Sequence, residues 1–478
     1  MVNLPIRRVA VIGAGPAGAI TIDALMREKA FDLVRVFERR HEAGGCWSGD
    51  EGLPRAVTDI AKLGSRTADM PLAIPSALPA VTRASDQHRF DEATVYPYLE
   101  TNVIADAMEF SQEPFPSNVS QFSKDLYGHK SPYRHWQVVR DYIHSLINRR
   151  GYQDLVSYNT SVENVRKVGS TWRVVLRKPG KEYDYWWSED FDAVIVANGH
   201  YNVPFIPPIP GLGELEKSRP SVIHSKHFRG RDQYQGKRVV VVGGSVSAAD
   251  IAFDLASVAE SPVHAVNLKR TINVYFGDEA FKHPSIQRHP AISKVCGRSV
   301  YTEDGTVIEN VDAIIFGTGY TWTLPFLPDV PVINNRIPGL YQHVVWQDDP
   351  TLLFVGAVQA GLTFKVFEWQ AVYAASLLSG RGTLPTLATM KAWEDARVKL
   401  KGNGPKFALL FPDFKDYFED LRRLSGEATD GKGRPLPKFR REWFRDFVSG
   451  HELRKKMWKR LNNEAKVKLD VGKERARL

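Results

Sequence analysis

Residues 9–18 read VAVIGAGPAG, and residues 33–38 read LVRVFE. The first run joins a short apolar strand to a glycine-rich turn, and the Ala-, Ile- and Leu-rich stretch that follows favours a helix. A strand, a Gly-x-Gly-x-x-Gly turn, a helix and an acidic residue about twenty positions further on make up a dinucleotide-binding unit. The sequence therefore predicts such a unit over residues 9–47, and the rest of the chain is organised around it.

Each glycine of this turn has its own mechanical role. Gly13 makes the tight turn, Gly15 lets the backbone approach a pyrophosphate, and Gly18 lets the helix pack closely on the strand. The helix N-terminus then stabilises the phosphate charge. Glu38 is placed to accept hydrogen bonds from a ribose and would repel a 2′-phosphate, so this site suits FAD or NAD rather than NADP. The turn residues predicted to contact the cofactor are Gly13, Ala14, Gly15, Pro16, Ala17 and Gly18.

A second unit of the same kind is predicted from residue 238 onward. Residues 238–242 and 263–268 read as strands, residues 249–259 as a helix, and the turn between them is Gly243-Gly244-Ser245-Val246-Ser247-Ala248. Lys269 and Arg270 stand where the first unit has Glu38, and two cations suit the 2′-phosphate of NADPH. Ser245 adds bulk where a pyrophosphate approaches, so we expect NADPH to bind less tightly or slightly displaced.

The length and the net charge of the chain limit its possible domain count and functions. A chain of 478 residues can hold two or three domains. The net charge of +9 comes largely from the C-terminal residues, which we interpret as solvated helix faces rather than a nucleic-acid or anionic-membrane surface. These basic residues are Lys438, Arg440, Arg441, Arg454, Lys455, Lys456, Lys459 and Arg460.

The two cysteines, Cys46 and Cys296, are far apart and form no Cys-x-x-Cys pair. This pattern excludes a disulfide framework, a zinc site and a dithiol–disulfide reductase, and it fits a reducing compartment. The chain enters its first strand within about ten residues, which leaves no room for a signal peptide. No apolar run reaches the roughly eighteen residues that a transmembrane segment needs. We therefore expect a soluble cytoplasmic protein with no metal site and no nucleic-acid partner.

The remaining chain predicts an α/β fold with two Rossmann-like domains, the second inserted into the first, and a helical C-terminal extension. The predicted domains are residues 1–210 (FAD-binding), 211–325 (NADPH-binding) and 326–478 (the return of the FAD-binding domain plus the extension). The other predicted elements are irregular structure at 48–132, a helix at 133–150, strands at 162–168, 171–177, 191–197, 313–316 and 351–355, and a helix at 364–378. C-terminal aromatic residues are predicted to pack onto the first domain, namely Trp393, Phe407, Phe411, Phe414, Tyr417, Phe418, Trp443, Phe444 and Trp458.

Two nucleotide sites, the first acidic and the second basic, indicate electron transfer between cofactors. NADPH would deliver hydride to a flavin at the face between the domains. The final electron acceptor stays open between oxygen, a disulfide, a quinone and another protein, although the lack of Cys-x-x-Cys excludes the usual disulfide route.

Five motifs in this order resemble the flavin-containing monooxygenases (group B flavoprotein monooxygenases), in a fungal-type branch. The resemblance covers roughly residues 6–380. The motifs are the 13–18 turn with Glu38, Gly44-Gly45-Cys46-Trp47, Tyr96-Pro97-Tyr98-Leu99-Glu100-Thr101-Asn102 with Met108-Glu109-Phe110, the turn from Gly243 to Asp250, and Phe316-Gly317-Thr318-Gly319-Tyr320.

The family's Phe-x-Gly-x-x-x-His-x-x-x-Phe/Tyr signature is half present. His224 and Phe228 match it, whereas Ser218 and Pro220 replace the phenylalanine and the glycine. The related Baeyer–Villiger enzymes usually end this signature in Trp, so Phe228 argues against that branch.

The resemblance implies a set of cofactor contacts. Asn102 is the key side chain, because an amide that donates and accepts could hold the nicotinamide amide or the distal oxygen of a flavin hydroperoxide. Trp47 would wall the flavin, and the helix starting near Thr363 would point its N-terminus at the flavin pyrimidine. The implied FAD contacts are the 13–18 turn, Glu38, Gly45, Cys46, Trp47 and Asn102. The implied NADP contacts are Thr101, Asn102, His224, Gly243, Ser245, Ser247, Ala248, Ala249, Asp250, Lys269 and Arg270.

The activity implied is NADPH- and O2-dependent oxygenation of an amine nitrogen or a sulfide of a small molecule, such as a secondary metabolite. NADPH would reduce FAD, O2 would add at flavin C4a, and bound NADP+ would keep water out. The alternatives are a Baeyer–Villiger monooxygenase, an N-oxidising flavin oxidase, and a catalytically silent flavoprotein scaffold. The oligomeric state stays open, with a homodimer as one option.

Overall fold

A computed structural model describes residues 6–49, 59–215, 221–268, 272–359, 361–429 and 431–475. The strands are β1 (Arg8–Ile12), β2 (Leu33–Phe37), β3 (Ala80–Arg83), β4 (Val156–Ser157), β5 (Ser161–Val168), β6 (Thr171–Lys178), β7 (Tyr183–Phe191), β8 (Ala193–Val196), β9 (Val203–Pro204), β10 (Ser221–His224), β11 (Val239–Val242), β12 (Val263–Val266), β13 (Ile286–His289), β14 (Ile292–Cys296), β15 (Ser299–Thr302), β16 (Val307–Ile308), β17 (Ala313–Phe316), β18 (Tyr320–Thr321), β19 (Leu340–Tyr341), β20 (Val345–Trp346) and β21 (Leu352–Phe354). The helices are α1 (Pro16–Glu28), α2 (Ile60–Ser65), α3 (Ala105–Met108), α4 (Gln121–Tyr127), α5 (Trp136–Asn148), α6 (Val246–Leu255), α7 (Thr363–Leu378), α8 (Leu387–Lys401), α9 (Phe414–Ser425) and α10 (Arg441–Arg475).

The first sheet has the order β19-β20-β21-β8-β1-β2-β4, and its strands from β21 to β4 are parallel. Strand β1 lies inside this sheet and is covered on both faces, as buried parallel strands require. Val9 and Val11 pack with α1 and α7, whereas Ala10 and Ile12 pack with the antiparallel sheet β3-β7-β6-β5. The apolar run in the sequence is therefore continuous because both faces of β1 are buried.

The second sheet, β10-β17-β11-β12-β13, is parallel throughout. Val239 and Val241 of β11 pack against α6, and Val240 and Val242 pack against the small antiparallel sheet β14-β15-β16. The predicted α/β class, with parallel sheets and a helical C-terminal end, is confirmed. The chain crosses between the two sheets at β9 and β18, which pair with each other in antiparallel fashion.

Some predicted boundaries were wrong for local reasons. Helix α6 begins at Val246 rather than 249, because the extended backbone at Ser245 leads directly into it. Helix α5 begins at Trp136 rather than 133, because Arg134 is still hydrogen-bonded to Thr101 and the His135 side chain caps the helix. Strand β3 lies in the region that was predicted to hold only loops and short helices; it pairs with β7.

The C-terminal helices cover both sheets. Phe414, Tyr417, Phe418 and Trp443 pack with the first sheet as predicted. For Trp458 the prediction was wrong, because its ring packs with Phe276 and Phe253 of the second unit. Helix α10 has 35 residues and is therefore about 52 Å long, which lets it contact both units.

The basic C-terminal residues are only partly solvated. Lys456, Lys459 and Arg460 are exposed as expected, but Arg454 is buried and forms an ion pair with Asp250 of α6. None of the helices in the described ranges combines the length and apolar character needed to span a bilayer.

The turn from β1 into α1 is so closely packed that two of its glycines have no space for a side chain. Gly13 has a φ of +102°, and a Cβ there would lie 2.7 Å from the Ala197 carbonyl oxygen. A Cβ on Gly18 would lie 2.0 Å from the Gly13 carbonyl oxygen. The second unit reaches similar packing with Ala248, because the facing residue is Gly317, where a Cβ would lie 2.7 Å from the Ala248 nitrogen.

We predict that Gly18→Ala destabilises the protein by about 2–3 kcal/mol, because the added methyl group forces strand and helix apart. Gly404→Ala is the matched control, since no described atom lies within 4 Å of a Cβ there. Urea unfolding of both variants measures the loss. Equal midpoints for the two variants would contradict the prediction.

His451 of α10 is buried and stacks on Tyr275, with ring centroids 4.9 Å apart. Neither ring nitrogen has a hydrogen-bond partner among the described residues. Burial, assisted by the positive charges of Arg454 and Lys455, lowers the pKa of His451 to about 4 from its ordinary 6.5. The unfolded chain therefore takes up a proton at a higher pH than the folded chain, and this imidazole reduces stability as the pH falls from 6.5 toward 4.

We predict that His451→Phe, which keeps the stacking, loses less stability than the parent as the pH falls from 6.5 toward 4. The difference in the free energy of unfolding should reach up to about 3 kcal/mol. Urea unfolding at about pH 7 and about pH 4.5 measures the difference. His129 is exposed, so His129→Phe should leave the pH dependence as in the parent. A His451→Phe variant as acid-sensitive as the parent would refute this assignment.

Candidate functional site

The first glycine turn and the Gly44-Gly45-Cys46-Trp47 motif form one backbone-lined cradle. The Gly44 N–H donates to the Ala14 carbonyl over 3.0 Å. A Cβ on Gly15 would lie 3.4 Å from the Gly45 Cα, and a Cβ on Gly45 would lie 3.0 Å from the Gly15 Cα. Side chains at either position would fill the space beside the N-terminus of α1, where Pro16 and Ala17 begin the helix. Such a helix N-terminus suits a phosphate group.

Glu38 lies at the end of β2 and closes this cradle. Its carboxylate is buried and accepts hydrogen bonds from the Ala14 N–H (2.7 Å) and the Arg40 N–H (2.9 Å). A carboxylate has about four lone-pair sites, so two remain for a ribose hydroxyl. The buried negative charge would repel a second anionic group, such as a 2′-phosphate.

Cys46 and Trp47 lie in a 3₁₀ turn (Gly45–Trp47). The Arg40 guanidinium donates to the Gly45 carbonyl, and the Thr94 hydroxyl donates to the Cys46 carbonyl over 2.8 Å. Burial raises the pKa of the Cys46 thiol, although the Arg40 charge opposes this. The thiol therefore stays protonated and does not act as a nucleophile at neutral pH. Trp47 is partly buried and packs against the cluster of Ala93, Val95 and Trp136.

Thr101 and Asn102 lie at the end of a loop, residues 96–102, that is anchored at the start of α5. The Thr101 N–H donates to the Arg134 carbonyl (2.8 Å), and the Thr101 hydroxyl accepts from the Arg134 N–H (3.1 Å). Thr101 is buried, whereas Asn102 is half-buried. Within the described ranges no residue hydrogen-bonds the Asn102 amide, so its donor and acceptor are available to a ligand.

The second turn is built from small residues. Gly243 has a φ of +135°, and Ala248 and Ala249 are buried at the start of α6. Ser245 is exposed at the helix N-terminus and accepts a hydrogen bond from the Asn273 amide over 3.3 Å. Ser247 is half-buried. Lys269 and Arg270, predicted to bind the 2′-phosphate, lie outside the described residues, as do Ser218 and Pro220 of the linker signature.

The Asp250 side chain forms an ion pair within the protein. Its carboxylate is paired with Arg454, and burial raises its pKa while the Arg454 charge lowers it. This pairing occupies the Asp250 side chain, so the backbone and the neighbouring Ser247 are left as the ligand-facing parts of the turn.

His224 is fully buried where β10 ends. Its Nδ1 accepts from the Lys226 N–H (3.1 Å), and its ring meets Tyr320 edge-to-face at 5.1 Å. Burial, followed by the nearby charges of His227 and Lys226, lowers the pKa of His224 to about 3. The imidazole is therefore neutral at physiological pH, which favours a structural or hydrogen-bonding role in the linker.

Sequence reasoning missed two groups of contacts that the structure places between the two units, one around Glu92 and one between Tyr98 and Asp254. Glu92 accepts from His227 (2.8 Å) and His88 (3.0 Å), and Lys226 lies 3.3 Å from the same carboxylate. The Tyr98 hydroxyl donates to Asp254 of α6 over 2.6 Å. Tyr98 stood within a quoted motif, but its partner is 156 residues away and no local signal pairs them.

Comparison with known proteins agrees with these features. A family model described as flavin-binding monooxygenase-like matches residues 78–270 and 280–424. The flavin-containing monooxygenase ustF2 of Aspergillus flavus is 27% identical over 468 residues, covering 88% of this chain and 92% of that protein. The trimethylamine monooxygenase of a Roseovarius species is 28% identical over 398 residues, covering 81% and 78% respectively.

Among solved structures, the S-allyl-L-cysteine S-oxygenase of Allium sativum superposes with a TM-score of 0.71 at 26% identity, covering 98% of this chain and 100% of that chain. The family match extends over well more than half of the chain, and the family resemblance inferred from the motifs is confirmed. The chain belongs to the flavin-containing monooxygenase family.

Proposed function

We propose that the chain is an NADPH- and O2-dependent FAD monooxygenase that transfers one oxygen atom to an amine nitrogen or a sulfide of a small molecule. The observation that carries the proposal is the position of the loop with Thr101 and Asn102. This loop is bonded to α5, beside the first glycine cradle, and to α6 of the second unit. A side chain at that place can contact groups bound in both units.

The residues of the first cradle fit FAD. Gly15 and Gly45 leave backbone-lined space for a pyrophosphate, and Glu38 has acceptor sites for the ribose. The second turn fits a nicotinamide dinucleotide at the N-terminus of α6, with Lys269 and Arg270 proposed to bind the 2′-phosphate. When bound there, FAD would supply the redox chemistry that couples the oxidation of NADPH to the activation of O2.

The chain's own groups would then position the reactants and exclude water. The Asn102 amide would hold the nicotinamide carboxamide or the oxygen that is transferred, since it can donate and accept. Tyr201 and Tyr320, with ring centroids 5.5 Å apart beside the crossing strands, would line the cleft. The Tyr201 side chain is 46% exposed, so its hydroxyl would be accessible as a donor to a bound group.

An amine or a sulfide is the substrate class that the relatives support. The name of the trimethylamine monooxygenase specifies an amine substrate, and the name of the S-allyl-L-cysteine S-oxygenase specifies a sulfide substrate. We also propose the domain bounds 1–210, 211–325 and 326–478, and a cytoplasmic location with the two free thiols reduced.

We predict that the purified protein is yellow and oxidises NADPH at least about tenfold more efficiently than NADH, since a charge-assisted hydrogen bond contributes about 1.5 kcal/mol or more. Lys269→Ala combined with Arg270→Ala should remove this preference. Trimethylamine and methyl phenyl sulfide serve as substrate probes, and mass spectrometry should find one added oxygen on nitrogen or sulfur. A colourless protein, equal use of NADH, oxygen inserted beside a carbonyl, or loss of two hydrogens would each contradict the proposal.

We predict that Asn102→Ala still oxidises NADPH but releases the electrons as H2O2 instead of oxygenated product, because the amide no longer holds the reacting groups. The fraction of NADPH recovered as peroxide measures this uncoupling. Asn148→Ala, an exposed substitution at the end of α5, should leave the fraction unchanged. Full coupling in Asn102→Ala would remove this residue from the mechanism.

A further inference from the structure

Residues 96–102 form a loop that joins the two nucleotide units. On the side of the first unit, the Pro97 carbonyl accepts from His135 Nε2 (2.7 Å) and from Trp136 Nε1 (3.4 Å). Together with the two hydrogen bonds between Thr101 and Arg134, these contacts fix both ends of the loop on the start of α5. These contacts fasten the loop to the first unit.

On the side of the second unit, one hydroxyl makes the polar contact to α6. Tyr98 Oη donates to Asp254 Oδ2 over 2.6 Å and accepts from the Arg231 N–H over 2.8 Å. The Arg231 guanidinium also donates to Asp254 Oδ1 over 3.0 Å. These three groups close a ring of hydrogen bonds, so the position of the loop and that of α6 depend on each other.

The surrounding packing is shaped around the Tyr98 ring. A Cβ on Gly230 would lie 3.2 Å from Tyr98 Cε1, and Gly230 has a φ of +112°. Tyr96 meets Tyr98 and Phe228 edge-to-face, at 5.0 Å and 5.3 Å. The ring thus has its own site, with the Arg231 guanidinium 5.7 Å from its centroid, and a phenylalanine ring would fill the same space. Among the described residues, the hydrogen bonds of the side chain are those of its hydroxyl.

The surroundings of the Tyr98 hydroxyl keep it protonated, so that it acts as a hydrogen-bond donor. Burial and the carboxylate of Asp254 raise the pKa of the Tyr98 phenol well above its ordinary range. Burial also raises the pKa of Asp254, whereas its hydrogen bonds from Tyr98 and its pairing with Arg231 lower it. A hydrogen bond to a carboxylate is among the stronger ones in proteins.

We propose that Tyr98 is a positioning residue: its hydroxyl fixes the loop of residues 96–102 to α6, so that a dinucleotide bound at the N-terminus of α6 keeps its nicotinamide beside Asn102. This inference rests on the proposed function. Asp254 lies in the last turns of the helix whose N-terminus forms the second turn, and a helix transmits such a fixed position as a rigid element. Small misplacements of this kind lower reaction rates strongly.

Tyr98→Phe tests the proposal, because it keeps the ring and removes the hydroxyl. We expect the dissociation constant of NADP+, titrated calorimetrically into the FAD-loaded protein, to rise about tenfold, which corresponds to about 1.4 kcal/mol. The fraction of NADPH electrons released as H2O2 should rise, and the FAD content should stay at the parent value. Asp254→Ala should weaken NADP+ binding similarly, and the double variant should lose little more, since both changes break the same contact.

Tyr417→Phe is the matched control. Its hydroxyl is buried, whereas Tyr98 is half-buried, and it likewise makes two hydrogen bonds: it donates to the Gln342 carbonyl (2.6 Å) and accepts from Gln370 Nε2 (2.8 Å). All three of these residues belong to the first unit. Thermal unfolding should show a comparable loss of stability in both variants, whereas the NADP+ affinity of Tyr417→Phe should stay within about twofold of the parent.

The outcomes separate this inference from the proposed function. If Tyr98→Phe and Tyr417→Phe bind NADP+ equally well and release equal peroxide, Tyr98 has only a structural role and the inference is overturned. If the two losses of Tyr98→Phe and Asp254→Ala add fully in the double variant, the hydrogen bond is not the cause and the inference is again overturned. If the parent binds neither FAD nor NADP+, the proposed function itself fails.

Discussion

The close approach of α1 to β1 at Gly13 and Gly18 is the constraint on which the first unit depends. Neither position has room for a side chain, and the Gly13 N–H donates to the Phe37 carbonyl over 2.9 Å. This packing decides where the N-terminus of α1 lies, and the helix dipole and free amides there attract an anionic group. Ala14 then connects the other parts of the cradle, since its N–H binds Glu38 and its carbonyl binds Gly44.

The second unit meets the same constraint with different residues. Ala248 occupies the place of the third glycine, and the space for its methyl group comes from Gly317 on the neighbouring strand end. What the fold requires is a short distance between helix and strand, and the small residue can stand on either side of the contact. An imperfect glycine pattern is therefore compatible with a well-packed turn. The exposed Ser245 does not disturb this contact, because it points toward Asn273.

The two units are joined by polar contacts in otherwise apolar surroundings. Arg454 of α10 binds Asp250 of α6, Tyr98 binds Asp254 of the same helix, and Lys226 lies against Glu92 beside the chain crossings. Buried charges need well-placed partners, because an unpaired one carries a large desolvation cost. These pairs therefore favour one relative position of the units over others. Under the proposed function, such a fixed geometry would keep the two bound cofactors close to each other.

The sequence by itself determined the elements whose signals are local. Strand β17 has the predicted bounds, and the Rossmann-like turns lie where the glycine pattern places them, because apolar runs and turn residues act over a few neighbouring positions. The family resemblance rested on the same short motifs. Tertiary structure alone decided that Arg454 is buried, that Trp458 packs on the second unit, and that Tyr98 reaches Asp254. Those contacts join residues far apart in the chain, and their distances follow from how helices and sheets pack rather than from any local pattern.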